Sequence, residues 1–139
     1  MRKPFSPDQH QQDDSPAKIV IARYLVEKWG LKVQEGDTYD ADLVCIRGDE
    51  VVGFVEVERR HNWIGIFPFS TVHVPARKEK FFRLDKPTML FSVRSDLQQA
   101  MWCSGKTILE CPIKMLDNKH CENEDFFVVP LDLWKQIDL

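Results

Sequence analysis

No two of the four cysteines, at positions 45, 103, 111 and 121, are spaced as CxxC. A chain of 139 residues buries roughly two-thirds of its unfolded surface on folding, so its core needs neither disulfides nor a structural metal. No stretch approaches about 18 consecutive apolar residues, which argues against a transmembrane helix. The opening "MRKPFSPDQHQQDDSP" has no apolar run, so no signal peptide is expected. The expected setting is cytoplasmic, intracellular rather than secreted, with free thiols. No Gly-rich phosphate loop and no GxSxG occurs, which removes P-loop nucleotide chemistry and the serine-hydrolase elbow. There is no internal repeat or low-complexity run. Nor is there an excess of positive charge: 19 Lys and Arg against 22 Asp and Glu give a net charge of -3. The chain as a whole therefore presents no positive field to a polyanion.

What is present is an ordinary globular composition, 43% hydrophobic and 29% charged, in a chain of single-domain length. Residues 1–15 are polar and read as a disordered or loosely attached arm, leaving 16–139 as one domain. Ser15-Pro16 predicts a helix start. Ile19, Ala22, Val26 and Trp29 recur at helical spacing, and Gly30 stops the helix. "LKVQE" predicts a strand, "GDTYDAD" a loop, "ADLVCI" a strand, "RGDE" a hairpin turn and "VVGFVEVE" the returning strand. The apolar runs Leu43–Ile46 and Val51–Val55 suit central strands covered on both faces. "HNWIGIFPFSTVHVP" predicts a long irregular loop, "ARKEKFFRL" about two helical turns and "TMLFSV" a strand. "SDLQQAMWC", with its Ser-Asp start, predicts a short helix. "TILECPIKML" and "DFFVVP" predict later strands, "DNKHCENED" a polar hairpin loop, and "LDLWKQI" a terminal helical turn or two.

The returning strand carries two carboxylates, Glu56 and Glu58. Side chains alternate across a strand, so these two share a face. The "RGDE" turn makes the two strands antiparallel and brings Asp42 level with the end of the second. The expectation is that Asp42 meets both glutamates. Two unit charges about 6 Å apart repel by roughly 3 kcal/mol at an effective dielectric near 20. Protonation, a basic partner or a divalent cation must offset this. Hard oxygen ligands with open positions suit Mg²⁺, which keeps waters and bridges to phosphate. The plain alternative is a salt-bridged face in which Glu56 and Glu58 pair with Arg59, Arg60 or lysines on an interaction protein.

Asp42, thirteen intervening residues and then Glu56-Val57-Glu58 lie on a hairpin preceded by a helix and strand and followed by a basic helix and strand. This resembles the PD-(D/E)XK nuclease superfamily, with spacing similar to archaeal-type Holliday junction resolvases. The resemblance covers residues 17 to about 93. It implies an α/β single domain with a restriction endonuclease-like αβββαβ core. In that core a mixed central sheet is flanked by helices, here with C-terminal strands and a short helix added. It implies a Mg²⁺-dependent endonuclease hydrolysing DNA phosphodiester bonds, with Mn²⁺ as a substitute and branched DNA as a candidate substrate. Asp42 and Glu56 then hold the metal, with the Val57 carbonyl a further ligand. Glu58 is a ligand or accepts a proton from water. By analogy, cutting two strands suggests a homodimer. Two positions depart from the family's pattern: Ala41 precedes Asp42, and Glu58 stands where Lys is usual. The missing lysine is sought on the following helix, at Lys78 before Lys80. Position 22, where resolvase-like members often carry Glu, is Ala22. The runner-up is a nuclease-fold protein without catalysis that binds nucleic acid or a protein partner.

From Arg59 to Lys86 seven cations (Arg59, Arg60, Arg77, Lys78, Lys80, Arg83, Lys86) face two anions (Glu79, Asp85), a local +5 in a chain of net -3. A positive surface beside an acidic metal site is what a polyanionic substrate requires. Arg59, Arg60, His61, Trp63, Arg77 and Lys80 are the expected DNA contacts, with His73 a further candidate. Trp63 or an exposed Phe of this loop is a candidate to stack on an unpaired base; the plain alternative is that Ile64, Ile66, Phe67 and Phe69 tuck the loop onto the core, with Trp63 the exception. Cys103, Cys111, His120 and Cys121 match no structural zinc spacing. Cys45 reads as a small core residue.

Overall fold

Val44, Cys45, Phe54 and Val55 are almost wholly inaccessible to solvent, because the strands that carry them lie in the middle of a sheet covered on both sides. These are β2 (Leu43–Arg47) and β3 (Glu50–Arg60). They pair antiparallel, with Leu43 opposite Val55 and Arg47 opposite Glu50. The turn between them is the expected one, and Gly48 adopts φ +63°, as a two-residue hairpin with glycine first requires. The computed structural model describes residues 7–36, 41–116 and 124–139, with side chains described from residue 15 onward.

Around this hairpin the sheet has the order β1-β2-β3-β5-β6-β9. Its outer members are β1 (Lys32–Glu35), β5 (Thr88–Arg94), β6 (Gln99–Ser104) and β9 (Lys135–Asp138). β5 runs parallel to β3, and every other pair is antiparallel. A parallel neighbour needs a crossover. Residues 61–87 supply it, through β4 (Thr71–Pro75), a 3-10 turn (Ala76–Lys78) and α2 (Glu79–Phe82). β4 joins β8 (Glu124–Pro130) and β7 (Ile113–Leu116) in a second sheet of order β4-β8-β7.

The large sheet thus has two covered faces. Helix α1 (Pro7–Trp29) lays Ala17, Ile21 and Leu25 on Leu43, Cys45, Val55, Val57, Phe91 and Val93. On the opposite face Val72, Val74, Phe81, Phe82, Ile108 and Phe127 meet Val44, Phe54, Leu90, Met101 and Cys103. Ile108 comes from α3 (Gly105–Leu109), whose Ser104 cap accepts a hydrogen bond from the Thr107 N–H. The result is one mixed α/β domain with a mixed sheet and few helices. No helix among the described residues is long and apolar enough to cross a membrane.

Several local expectations are corrected. α1 begins at Pro7 with Pro16 inside it, so residues 7–14 extend the helix; residues 1–6 lie outside the described residues. Gly30 does end it, at φ +67°. Its buried row is Ala17, Ile21 and Leu25, whereas Ile19 and Val26 are exposed. The irregular loop after β3 contains β4. The helix expected from Ser95 is a turn leading into β6. Asp96 accepts a hydrogen bond from the Gln98 N–H and Leu97 sits at φ +65°, so the aspartate shapes the turn over residues 95–98 instead of capping a helix. The expected strand from Thr107 is first helix α3 and only then β7. The C-terminal segment is a 3-10 turn followed by β9. Of the two expected loops, residues 37–40 and 117–123 lie outside the described residues, and with them His120 and Cys121.

Candidate active site

β3 passes from apolar to polar along its length, and beyond the register shift near Val52 its even-numbered side chains share the face of Phe54. Glu56 and Glu58 therefore emerge on that face where the covering sheet and helices stop. Asp42 stands immediately before β2, next to the Leu43–Val55 pair, which places it opposite Glu56. The two are joined by hydrogen bonds from backbone N–H groups to carboxylate oxygens. The Asp42 N–H donates to Glu56 Oε2 at 3.2 Å, and the Val57 N–H donates to Asp42 Oδ2 at 2.8 Å. The hairpin register alone creates this pair of carboxylates from positions fourteen apart in sequence.

Two lysines balance them. Lys78 Nζ lies 3.0 Å from Glu56 Oε1, delivered by the 3-10 turn that precedes α2. Lys18 Nζ lies 3.5 Å from Asp42 Oδ1, delivered by α1 from the other face. Burial raises the Glu56 carboxyl above its ordinary range, and the Asp42 charge adds to this; the Lys78 cation opposes both. A carboxylate that resists ionisation beside another carboxylate is poised to accept a further cation. Asp42 and Glu56 offer hard oxygen atoms, and the Val57 carbonyl belongs to the same stretch of β3. One or two carboxylates completed by water and phosphate are the usual Mg²⁺ donors, so these residues fit that ion.

Glu58 departs from expectation. It shares the Glu56 face but lies one strand period further, about 7 Å along. Its Oε1 accepts from Arg60 Nη2 and from Ser92 Oγ, both at 2.6 Å. Ser92, fully buried on β5 directly opposite Glu58 in the register, also accepts from Arg60 Nε at 3.3 Å. Three carboxylates therefore do not meet. Among the described residues no group of three or more His, Cys, Asp or Glu side chains converges as metal ligands.

The basic residues divide. Arg77, Lys78 and Lys80 line an open cleft of about 580 Å³ with Glu56, Phe81 and Leu84. Arg77 is also ion-paired with Glu124. Arg59 points away from this cleft and donates to the Ser95 carbonyl through Nε (3.2 Å) and Nη2 (2.5 Å). Arg83 pairs with Glu79. His61 is exposed at the end of β3, and His73 is exposed with its ring 6.0 Å from Phe126.

Trp63 is the clearest reversal. It is 2% exposed, whereas Ile64 is 77%, Ile66 91% and Phe69 62% exposed. The indole anchors the loop and its apolar neighbours face water, so no base can stack on Trp63. Cys45 and Cys103 are buried, and burial pushes both thiols up to about 11. Cys103 and Cys111 are free.

Sequence reading missed Lys18 and Ser92. Lys18 carries no local signal, because only the docking of α1 brings it to Asp42. Ser92 does carry one: it is the polar residue of "TMLFSV", on a strand otherwise apolar at its centre. No family model, curated protein or solved structure gives a significant match to the chain.

Proposed function

We propose that the chain is a Mg²⁺-dependent endonuclease of restriction endonuclease-like fold that hydrolyses DNA phosphodiester bonds. The observation that carries this reading is the convergence of Asp42 and Glu56 on one rim of the sheet with Lys78 bound to Glu56, at the mouth of a cleft lined by Arg77, Lys78 and Lys80. The order α1-β1-β2-β3-β4-α2-β5, with β4 in the second sheet and β3 parallel to β5, supports an αβββαβ core with β4 inserted in the crossover.

Asp42, Glu56 and the Val57 carbonyl would hold the ion. When bound it would neutralise charge at the scissile phosphate and make water easier to deprotonate. The chain's own groups do the rest. Arg77 and Lys80 attract and seat the phosphate backbone. Lys78 replaces the lysine missing at position 58 and directs a proton-donating ammonium at the same place, orienting water or the phosphate oxygen. Arg60 and Ser92 hold Glu58 beside the pair, and Glu58 positions this rim of β3.

A specific observation favours a second reading, a nuclease-fold protein that binds without cutting. Glu58 stands at the usual lysine position, and its Oε1 is held by Arg60 and Ser92. Incubating duplex, single-stranded and branched DNA with Mg²⁺, Mn²⁺ or EDTA separates the two. Metal-dependent cleavage that is lost in both Asp42→Asn and Glu56→Gln is the expected result. Binding with no cleavage under any condition would leave the second reading standing.

A further inference from the structure

Residues 61–70, the loop that follows β3, invert the usual order of burial among their large apolar side chains. The amphipathic Trp63 is buried, and three purely apolar side chains face solvent: Ile64, Ile66 and Phe69. An apolar loop that merely lacked a place to pack would be loosely tied. This one is fixed at several points. The Trp63 carbonyl accepts from the Ser95 N–H (3.2 Å) and Ser95 Oγ (2.8 Å). The Gly65 carbonyl accepts from Trp63 Nε1 (3.0 Å) and Arg94 Nη1 (3.2 Å). Gly65 itself takes φ +71°, a backbone that glycine adopts without strain. Ile64 and Ile66 therefore stand on either side of a pinned turn. Phe69 ends an edge-to-face ladder, with Trp63 to Phe67 at 5.5 Å and Phe67 to Phe69 at 5.8 Å. Its ring is held in place and still open to a partner.

The surroundings choose the partner. Arg59, Arg60, His61 and Asn62 rim a hollow of about 290 Å³ floored by Trp63 and Phe67. Its arginines outnumber its single carboxylate, Glu58. The loop continues the strand that carries Glu56, beginning five residues or about 17 Å beyond it. Arg60 is paired with Glu58 and Arg59 with the Ser95 carbonyl, so the rim keeps a small positive excess that suits an anionic partner, one that presents flat apolar faces and reaches the carboxylate pair at the same time. DNA meets all three conditions only where its bases are unstacked, since an intact duplex hides their faces. Apolar wedges that enter base steps are a recurrent way to exploit such places.

Building on the nuclease reading above, we propose that this loop is a wedge. Ile64, Ile66 and Phe69 pack against base faces exposed where DNA strands part or branch, and so select such DNA for the Asp42–Glu56 site.

The test uses the full chain in EDTA, so that binding is read without cleavage. Three DNAs of equal charge carry 2-aminopurine at the same step: a flush duplex, the duplex with a two-nucleotide bulge, and a four-way branch. Stacking on an aromatic side chain is worth about 1–3 kcal/mol per base, or roughly 5- to 150-fold in Kd. The wild type should bind bulged or branched DNA at least about tenfold tighter than flush duplex, with a change in 2-aminopurine fluorescence. Phe69→Ser and the double variant Ile64→Ser/Ile66→Ser should lose the preference and the fluorescence change. Their flush-duplex affinity and melting temperature should stay at wild-type values, because these side chains are exposed. Variants that keep both preference and signal overturn the wedge. So does a wild type without preference, or variants whose only change is loss of self-association in sedimentation, which would make the loop an interface between copies. Metal-dependent cleavage of flush duplex by the wild type reports on the nuclease reading separately, so the two can fail independently.

Discussion

Glu56 links the candidate chemistry to a measurable cost in stability. Burial, reinforced by Asp42, raises its carboxyl above the ordinary 4.5. As pH climbs past that value the unfolded chain ionises first, so the folded state holds more protons and stability falls until Glu56 also ionises. Above its raised value the loss is complete. Glu56→Gln removes this penalty while keeping the shape. The melting temperature of the variant relative to wild type should therefore rise with pH across that window and stay level at higher pH, as thermal melts between pH 4 and 8 would record. A difference that does not grow with pH would mean that Lys78 already cancels the penalty. Glu58 asks for the opposite substitution. Strand parity read from sequence correctly gave it the Glu56 face, but parity says nothing of the neighbouring strand. There Ser92 waits at 2.6 Å, with Arg60 on the same oxygen. Glu58→Lys restores the commoner family residue yet sets a second cation against Arg60 beside a fully buried serine. Losing a charge-assisted partner and leaving polar groups unpaired costs about 1–3 kcal/mol. The expected outcome is a lower melting temperature and no gain in single-turnover cleavage. An active, equally stable lysine variant would show that Lys78 does not fill the missing role.

At the scale of elements, what sequence could reveal depended on whether a pattern was settled locally. The β2–β3 hairpin was legible because glycine in the turn, apolar runs and alternation all agree. The face of α1 was not. Ala17, Ile21 and Leu25 form one apolar row and Ile19, Ala22, Val26 and Trp29 another, and only docking on the sheet decides between them. β6 and β9 were hidden for a related reason: each gains its identity from a strand distant in sequence. The link from β1 to Asp42 is a further case. Gly36 donates its N–H to the Asp42 carbonyl and accepts from the Ala41 N–H, both at 3.3 Å. A Cβ at position 36 would lie 2.4 Å from the Ala41 carbonyl oxygen. Gly36→Ala must therefore displace the backbone that aims Asp42, at a cost of about 1–3 kcal/mol by analogy with overpacking. It should depress cleavage more than DNA binding, which comparing single-turnover rates with Kd in EDTA would check. The segment 76–82 makes the complementary prediction. Its Arg77 and Lys78, on the 3-10 turn, and Lys80, on α2, line the cleft but sit on elements separate from Asp42. Neutralising all three should weaken duplex binding and flatten the log–log salt dependence by about 0.9 for each phosphate that is no longer neutralised. An unchanged slope would show that this cleft faces away from DNA.

The molecule as a whole is negative yet polarised. Net charge is -3 while residues 59–86 carry +5, so the remainder carries -8. Composition alone concealed a basic segment that only chain position reveals, and the fold gathers Arg77, Lys78 and Lys80 from that segment around Glu56. The same arrangement makes the folded state a conditional one. Asp42 and Glu56 are brought together by the β2–β3 register, with Lys18 reaching them from one side of the sheet and Lys78 from the other. The unfolded chain has no such pair, so an ion that binds there binds only the native protein. Mg²⁺ should then stabilise by about 2.7 kcal/mol at one hundred times its dissociation constant. For a domain of this size that is a rise in melting temperature of several degrees. Ca²⁺ and Mn²⁺, with the same preference for oxygen, should act in the same direction, whereas an equal ionic strength of NaCl should not. Asp42→Asn should abolish the response, and Glu58→Gln should keep most of it, because Glu58 is bound to Arg60 and Ser92 and not to the carboxylate pair. Equal responses from wild type and Asp42→Asn would place the ion elsewhere. The Asp42–Glu56 pair would then be a salt-bridged rim closed by its two lysines, and the binding reading would be preferred to the catalytic one.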